Sequence, residues 1–391
     1  MNILHCVEAY YPDMGGMPEV VRQLSERLVQ MGHRVTVATR HNEDRKSNLI
    51  NGVEIVPFRI KGNAVIGIEG EREAYEQFLL QSNFDVVGFF AAQQWATDIA
   101  LPILDKVKGK KISVPTGYSA FYQEVYQGYY EQMKQWIHGY DMNVYLSHDY
   151  RDIQFARDNG VSKIIVIPNG AGEDEFSAPS DINIREQLGI PPHHFVVLHV
   201  GTYTGVKGQQ EAIEIFLRSD IKNGTLLLIG NNAERYRPPY HKYLQMLMLK
   251  LKGLWMDNKR IIFQSFPRAF TVQAYKQADV FLFPSNIECS PIVLFECAAA
   301  GLPFLSTDVG NAKEIATWTG GGRIIATTKD ANKYSHADIA DGVRQLNELY
   351  HQPQVRKQLG QKAYEAWKAK YSWEVISKQY EMLYLKLTEQ L

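Results

Sequence analysis

Cysteine is nearly absent from this sequence. Its 391 residues hold three, Cys6, Cys289 and Cys297, none at C-x-x-C spacing. That argues against a disulfide framework or a cysteine zinc site and for a reducing compartment. Eleven histidines show no metal-ligand spacing, and His193–His194 reads as solvated. An excess of one charge sign is also lacking: 42 Lys and Arg stand against 43 Asp and Glu, for a net charge of −1. A nucleic-acid partner is therefore not expected. No apolar run approaches the roughly 20 residues needed to cross a bilayer. The start, MNILHCVEAYYPDMGG, has no basic segment followed by an apolar one, so no signal peptide is read. The expectation is a cytoplasmic protein, with peripheral contact at the inner face of a membrane left open. Also missing are Asp-x-Asp, G-x-x-x-x-G-K-[ST], H-E-x-x-H and G-x-S-x-G.

What is present is an alternation of short apolar strands with amphipathic helices, the pattern of α/β folds with largely parallel sheets. NILHCVEA reads as a strand and MPEVVRQLSERLVQMG as a helix, with Pro18 in its first turn and Val20, Val21, Leu24 and Leu28 on one face. HRVTVATR, DVVGFF, KISVP, NVYLS and KIIVIPNG continue the series. It restarts with FVVLHVG at 195–201, then GTLLLIG, RIIFQSF, DVFLFPS and LPFLSTDVG. The polar, Pro-rich segment 171–194 reads as a hinge. Two Rossmann-like domains facing a central cleft are expected. The first is 1–175 and the second 176–371, with a final helix, 372–391, packing back on the first.

Four stretches could carry chemistry. In VGTYTGVKGQQEAIEIF (200–216) a strand ends at Gly201, a loop through Thr202 follows, and Lys207 stands beside a helix start whose N–H groups form an anion site. A Gly-rich turn with a solvated lysine is the ordinary alternative. IECSPIVLFECAAAG (287–301) sets Glu288 and Glu296 eight positions apart, in a loop and inside a helix that starts near Pro291. If both were helical they would be about 12 Å apart. A glycosidase pair needs about 5 to 9.5 Å. Separate contacts to a polyhydroxylated ligand fit better, and Glu296 paired with a nearby cation is the competing reading. The loop DMGG offers Gly15 and Gly16 for close backbone approach to a phosphate or sugar. Residues 113–136 are crowded with Tyr118, Phe121, Tyr122, Tyr126, Tyr129, Tyr130 and Trp136. Such aromatics suit sugar stacking or a membrane interface, and core packing is expected for most of them.

Taken in order, these features resemble the retaining nucleotide-sugar glycosyltransferases of family four, of GT-B fold, over nearly the whole chain. The residues that carry the likeness are YYPDMGGMPEVVRQLSERLVQMGHRVTVAT, VIPNGAGEDEF, VGTYTGVKG, SNIECSPIVLFECAAAGLPFLSTDVGNAKEI and YSWEVISKQYEMLY. The E-x7-E stretch is the most specific of them.

The resemblance implies a metal-independent enzyme, without cofactor, that transfers a hexose-type sugar from a UDP- or GDP-sugar with retention. The acceptor would be a glycan, lipid-linked or other glycoconjugate, and the setting surface polysaccharide assembly. Lys207 and Glu288 would serve catalysis. Donor contacts would come from Gly15, Gly16, Gly201, Thr202, Lys207, Phe266, Pro267, Arg268, Glu288, Ser290, Pro291, Ile292, Val293 and Glu296. In this set Lys207 meets the diphosphate, Glu296 the ribose, and residues 266–268 border the base. Thr116 and Tyr118 would face the acceptor. Two departures stand out: Thr202 occupies the place of an Arg common after the loop glycine, and Thr116 that of a His. Other readings are a non-catalytic nucleotide-sugar-binding protein and a GT-B epimerase or phosphorylase.

Overall fold

A computed structural model of the chain describes residues 1–13, 15–231 and 258–389. They fall into two compact units, Met1–Asn169 with Trp373–Leu391, and Gly170–Ser372.

The first unit is built on β1 (Asn2–Cys6), β2 (Arg34–Arg40), β3 (Leu49–Ile50), β4 (Val53–Phe58), β7 (Val86–Phe90), β8 (Lys110–Val114), β9 (Met142–Tyr145) and β10 (Ile164–Val166), with β5 (Ile60–Asn63) and β6 (Gly67–Gly70) forming a separate hairpin. The sheet order is β10-β9-β8-β7-β1-β2-β4-β3, parallel except for β3 against β4. β7 is buried at every position and β1 at all but its first. Strands covered on both faces read as unbroken apolar runs, which is why these two were legible. The antiparallel pieces between 49 and 70 are short and Gly-interrupted, and they were not foreseen.

Helix Gly16–Gln30 buries Val20, Val21, Leu24 and Leu28. The last helix, Trp373–Leu387, packs against it. Arg27 pairs with Glu374 at 2.6 Å, and just past the first helix His33 Nε2 lies in hydrogen-bond range of Glu381 Oε1, at 2.8 Å. Within β1, His5 bonds through Nδ1 to Ser25 Oγ (2.8 Å) and through Nε2 to Tyr384 Oη (3.3 Å). Burial drives its pKa down to about 3, so it is a neutral core histidine.

The second unit holds β11 (Phe195–Val200), β12 (Gly224–Ile229), β13 (Lys259–Gln264), β14 (Val280–Phe283), β15 (Phe304–Thr307) and β16 (Gly322–Ile325), all parallel in the order β13-β12-β11-β14-β15-β16. Helices on both faces bury two apolar clusters, one around Phe281, Phe295 and Trp367, the other around Phe216, Leu228 and Leu346. Strand order reverses between β11 and β14. In open α/β sheets such a switch point opens a crevice at the carboxyl ends of the strands, where ligands bind.

The expected hinge at 171–194 is instead part of this second unit. Phe176, Ile184 and Ile190 are buried there, and the division lies between Asn169 and Gly170. The polar composition hid three apolar anchors spaced along the segment. His194 likewise is not solvated: it is 2% exposed, with Nδ1 3.0 Å from Thr225 Oγ1. The entry and exit segments of the unit are bonded to each other. Ala171 bridges Ser372, its N–H donates to Tyr371 O (3.1 Å), and its carbonyl accepts from Trp367 Nε1 (2.9 Å).

Candidate functional site

The loops after β11 and β14 flank the switch point of the second unit. They are held against each other at Gly208, which has φ 76° and would place a Cβ 2.1 Å from the Pro284 carbonyl oxygen. Only glycine permits that approach. Asn286 N–H donates to Val206 O at 2.9 Å. Between these ties Lys207 Nζ reaches Glu288 Oε1 at 2.7 Å, and Ser285 Oγ donates to the same oxygen at 3.0 Å. Neither side chain is sealed off, with Lys207 24% and Glu288 14% exposed. Gln209 opens the following helix, Gln209–Arg218, and its Nε2 donates to the carbonyls of Gly201 (3.3 Å) and Thr202 (3.0 Å).

Beneath this loop lies His199, fully buried. Its Nδ1 is 2.9 Å from Leu282 O, and a carbonyl only accepts, so Nδ1 carries the hydrogen. Burial, aided by the Lys207 charge, lowers its pKa to about 4. The imidazole is therefore neutral and adds no second cation beside Lys207.

After β14 the chain passes Glu288 and enters helix Ile292–Ala300 with Pro291 as its N-cap. Pro291 lacks an N–H, and Ile292 and Val293 are half-buried in the first turn. The loop is pinned from behind by Gly310, whose Cβ would fall 2.2 Å from Cys289 O, and by Asn311 N–H on the same oxygen at 2.9 Å. Ser290 is 9% exposed.

Glu296 lies inside the helix and is 3% exposed. Arg268, at the start of helix Arg268–Gln277, pairs with its Oε1 and turns its other edge to Glu175, with Nη2–Oε2 at 2.7 Å and Nε–Oε1 at 3.2 Å. The guanidinium also sits over the Phe176 ring, 5.8 Å from its centroid. Burial pushes the Glu296 pKa up, and Arg268 pulls it back toward the ionised range. The ion-paired arrangement weighed for Glu296 is thus the one present. Phe266 packs on Phe270 with centroids 5.6 Å apart, and Pro267 caps the Arg268 helix.

The remaining expected residues belong to the first unit. Gly15 is the N-cap of helix Gly16–Gln30, and a Cβ on Gly16 would meet nothing within 4 Å, so the unit's own packing does not demand glycine there. Thr116 is half-buried with φ 57°. Tyr118 is a correction: at 2% exposure it is packed edge-on against Tyr130 and Phe155 and is not offered to a ligand. Its aromatic neighbours Tyr129 and Tyr130 are core as well, while Tyr122 is 48% exposed.

Sequence reasoning missed Ser285, His199 and Glu175 as parts of these networks. Only Glu175 carried a signal, through its place in the GEDEF run after Pro-Asn-Gly. Among the described residues no group of three or more His, Cys, Asp or Glu could hold a metal ion. No helix among them is long and apolar enough to cross a membrane.

Comparisons with known proteins bear on the same two units. The family model described as Glycosyltransferase Family 4 matches residues 14–174, and that described as Glycosyl transferases group 1 matches 180–366. An uncharacterized glycosyltransferase of Methanocaldococcus jannaschii is 26% identical over 393 residues, 94% of this chain and 93% of its own. The D-inositol 3-phosphate glycosyltransferase of Corynebacterium glutamicum is 24% identical over 60% of this chain, which spans about half (54%) of its length. Among solved structures, sucrose-phosphate synthase from Thermosynechococcus elongatus superposes with a TM-score of 0.77 at 18% identity, covering 100% of both chains. Anabaena HepE in complex with UDP-glucose gives 0.74 at 16%, covering 98% of this chain and 99% of its own.

Proposed function

From the premise that the chain belongs to the glycosyltransferases described by those two models and has their GT-B fold, we infer that it moves a sugar from a nucleoside diphosphate to a hydroxyl-bearing acceptor with retention at the anomeric carbon. The observation that carries the reading is the Lys207–Glu288 pair at the switch point beside the N-terminus of helix Ile292–Ala300. A diphosphate leaving group needs preorganised positive charge and N–H donors. Lys207 supplies the first. The half-buried turn at Ile292 and Val293, behind an N-cap proline, supplies the second.

On donor binding Lys207 exchanges one Glu288 oxygen for phosphate, which turns the Glu288 carboxylate toward sugar hydroxyls. Glu296 takes the ribose hydroxyls in partial competition with Arg268, and the backbone of residues 266–268 borders the base. With phosphate charge met in this way, catalysis proceeds without a metal ion. The open space at Gly16 suits a close approach to substrate. The UDP-glucose complex of HepE supports a UDP-sugar donor, and polysaccharide or glycoconjugate assembly is the setting we propose.

The test is a thermal-shift series with UDP, GDP and ADP, then their sugars, followed by NMR of the product's anomeric proton. One nucleotide must raise the melting midpoint, since a ligand that binds only the folded state stabilises it. An inverted product, or no response to any nucleotide, rejects the reading. Thr202 removes one cation from the donor loop and favours the rival of a donor-binding protein without turnover. Hydrolysis of the bound donor separates the two.

A further inference from the structure

The Arg268 guanidinium is shared unequally between its two carboxylates. One nitrogen, Nη1, donates to Glu296 Oε1, while two, Nη2 and Nε, donate to Glu175 at 2.7 and 3.2 Å. The contact with Glu175 sets a fork on a fork, the stronger geometry for arginine and carboxylate. The Phe176 ring, its centroid 5.8 Å from the guanidinium carbon, adds a cation–π hold. Glu175 and Phe176 are neighbours in the short helix Glu173–Phe176, so one element supplies both anchors. A cation placed only to neutralise Glu296 would face it with its fork. Here the fork faces the other carboxylate.

The three side chains also differ in exposure. Arg268 is 31% exposed, Glu175 16% and Glu296 4%. Arg268 is thus the member that meets solvent, and Glu296 the one sealed in. With Oε1 engaged and so little of it exposed, Glu296 in this state is a poor acceptor for a ligand.

Ribose hydroxyls can replace Nη1 on Glu296 only if the guanidinium gives way. Breaking a buried ion pair is costly when nothing else receives the freed charge. Here Glu175 receives it: two hydrogen bonds and the ring contact persist when the single one to Glu296 is given up. Glu175 also acts at a distance, since its negative charge opposes ionisation of Glu296. Removing that charge would leave Glu296 as the one acidic partner of the cation within the triad, and a ribose would then compete with all of it.

We propose that Glu175 is a positioning residue of the donor site: it takes over the Arg268 guanidinium when a nucleotide binds, and so frees Glu296 for the ribose 2′- and 3′-hydroxyls. The proposal rests on the donor reading above, which gives Glu296 the ribose.

Isothermal calorimetry on the full chain, with UDP against 2′,3′-dideoxy-UDP, tests it. Wild type is expected to bind UDP about tenfold or more tighter than the dideoxy form, which lacks both hydroxyls. Glu175→Gln should weaken UDP by about tenfold, the scale of one hydrogen bond to a charged group, and move the dideoxy form by less than about twofold. Glu175→Gln/Arg268→Gln removes the competitor and should recover UDP. A Glu175 that only supports the fold would weaken both nucleotides alike. Equal losses for the two, an unchanged UDP affinity in Glu175→Gln, or no recovery in the double variant overturns the proposal. Equal binding of UDP and its dideoxy form by wild type overturns it without any variant. If the thermal-shift series selects GDP or ADP, that nucleotide and its dideoxy form take the place of UDP. Failure of wild type to bind any nucleotide rejects the donor reading and this inference with it, whereas nucleotide binding that ignores the ribose rejects this inference alone.

Discussion

Arg268 carries one positive charge between two carboxylates, and the more buried of them, Glu296, depends on it. Replacing it with Ala leaves an ionised group in an apolar helix packing. The expected loss is about 2–4 kcal/mol in urea unfolding, with part recovered in Arg268→Ala/Glu296→Gln. In the proposed donor site, Lys207 acts on charge brought in by the ligand. Lys207→Ala should weaken UDP by about tenfold or more while leaving uridine nearly unchanged, as calorimetry can show. Equal losses for both would contradict the diphosphate role.

Two buried carboxyls in the first unit give a pH signature. Burial raises Asp98 and Asp152 to about 6, well above the ordinary aspartate value of about 3.9. Between those limits the folded state holds more protons than the unfolded one, so their contribution to stability falls as pH rises from about 4 to above 6. Asp152→Asn should flatten that part of the stability–pH curve relative to wild type, measured by thermal midpoints across the window.

Among the elements, the two switch-point loops of the second unit are set by glycines rather than by side chains. Gly208→Ala forces a Cβ into the Pro284 carbonyl and a left-handed φ on alanine. It should cost about 2–3 kcal/mol or more and reduce the UDP response out of proportion to the fold, because the same contact positions Lys207. Circular dichroism melts with and without UDP check this.

The strands around these loops were readable because each is an apolar run bounded by turn residues, as in VVGFF or TLLLI. The loop lysine and the two glutamates were readable from their spacing to a strand end and a helix start. What joins them was not. Lys207 and Glu288 are 81 positions apart, and Arg268 and Glu175 are 93, and their meeting depends on which strands lie side by side. Tyr118 failed as a site residue for a related reason. An aromatic with a polar tip looks the same in sequence whether Phe155 covers it or a ligand does. The hinge misplacement has the same cause, since Phe176, Ile184 and Ile190 are too sparse to outweigh their polar neighbours by composition alone.

In the whole molecule, the chain leaves the first unit at Asn169, returns at Trp373, and finishes on the helix it began with. Ending the chain after Ser372 strips Trp373, Ile376, Tyr380, Leu383 and Tyr384, all buried, from that unit. At about 1.5–3 kcal/mol for each large apolar side chain, the loss is comparable to the whole stability of a domain, about 5–15 kcal/mol. The truncated protein should lose near-UV circular dichroism and become protease-sensitive between 1 and 169, while fragments of 170–372 survive digestion. Because Ala171 and Ser372 are bonded neighbours, those 203 residues begin and finish at one spot. Such a cassette can be spliced out at two peptide bonds and replaced by a differently tuned one, with both termini of its host left in place. Under the donor role proposed for the second unit, exchanging that cassette would change which sugar is given and leave every residue of its host in place.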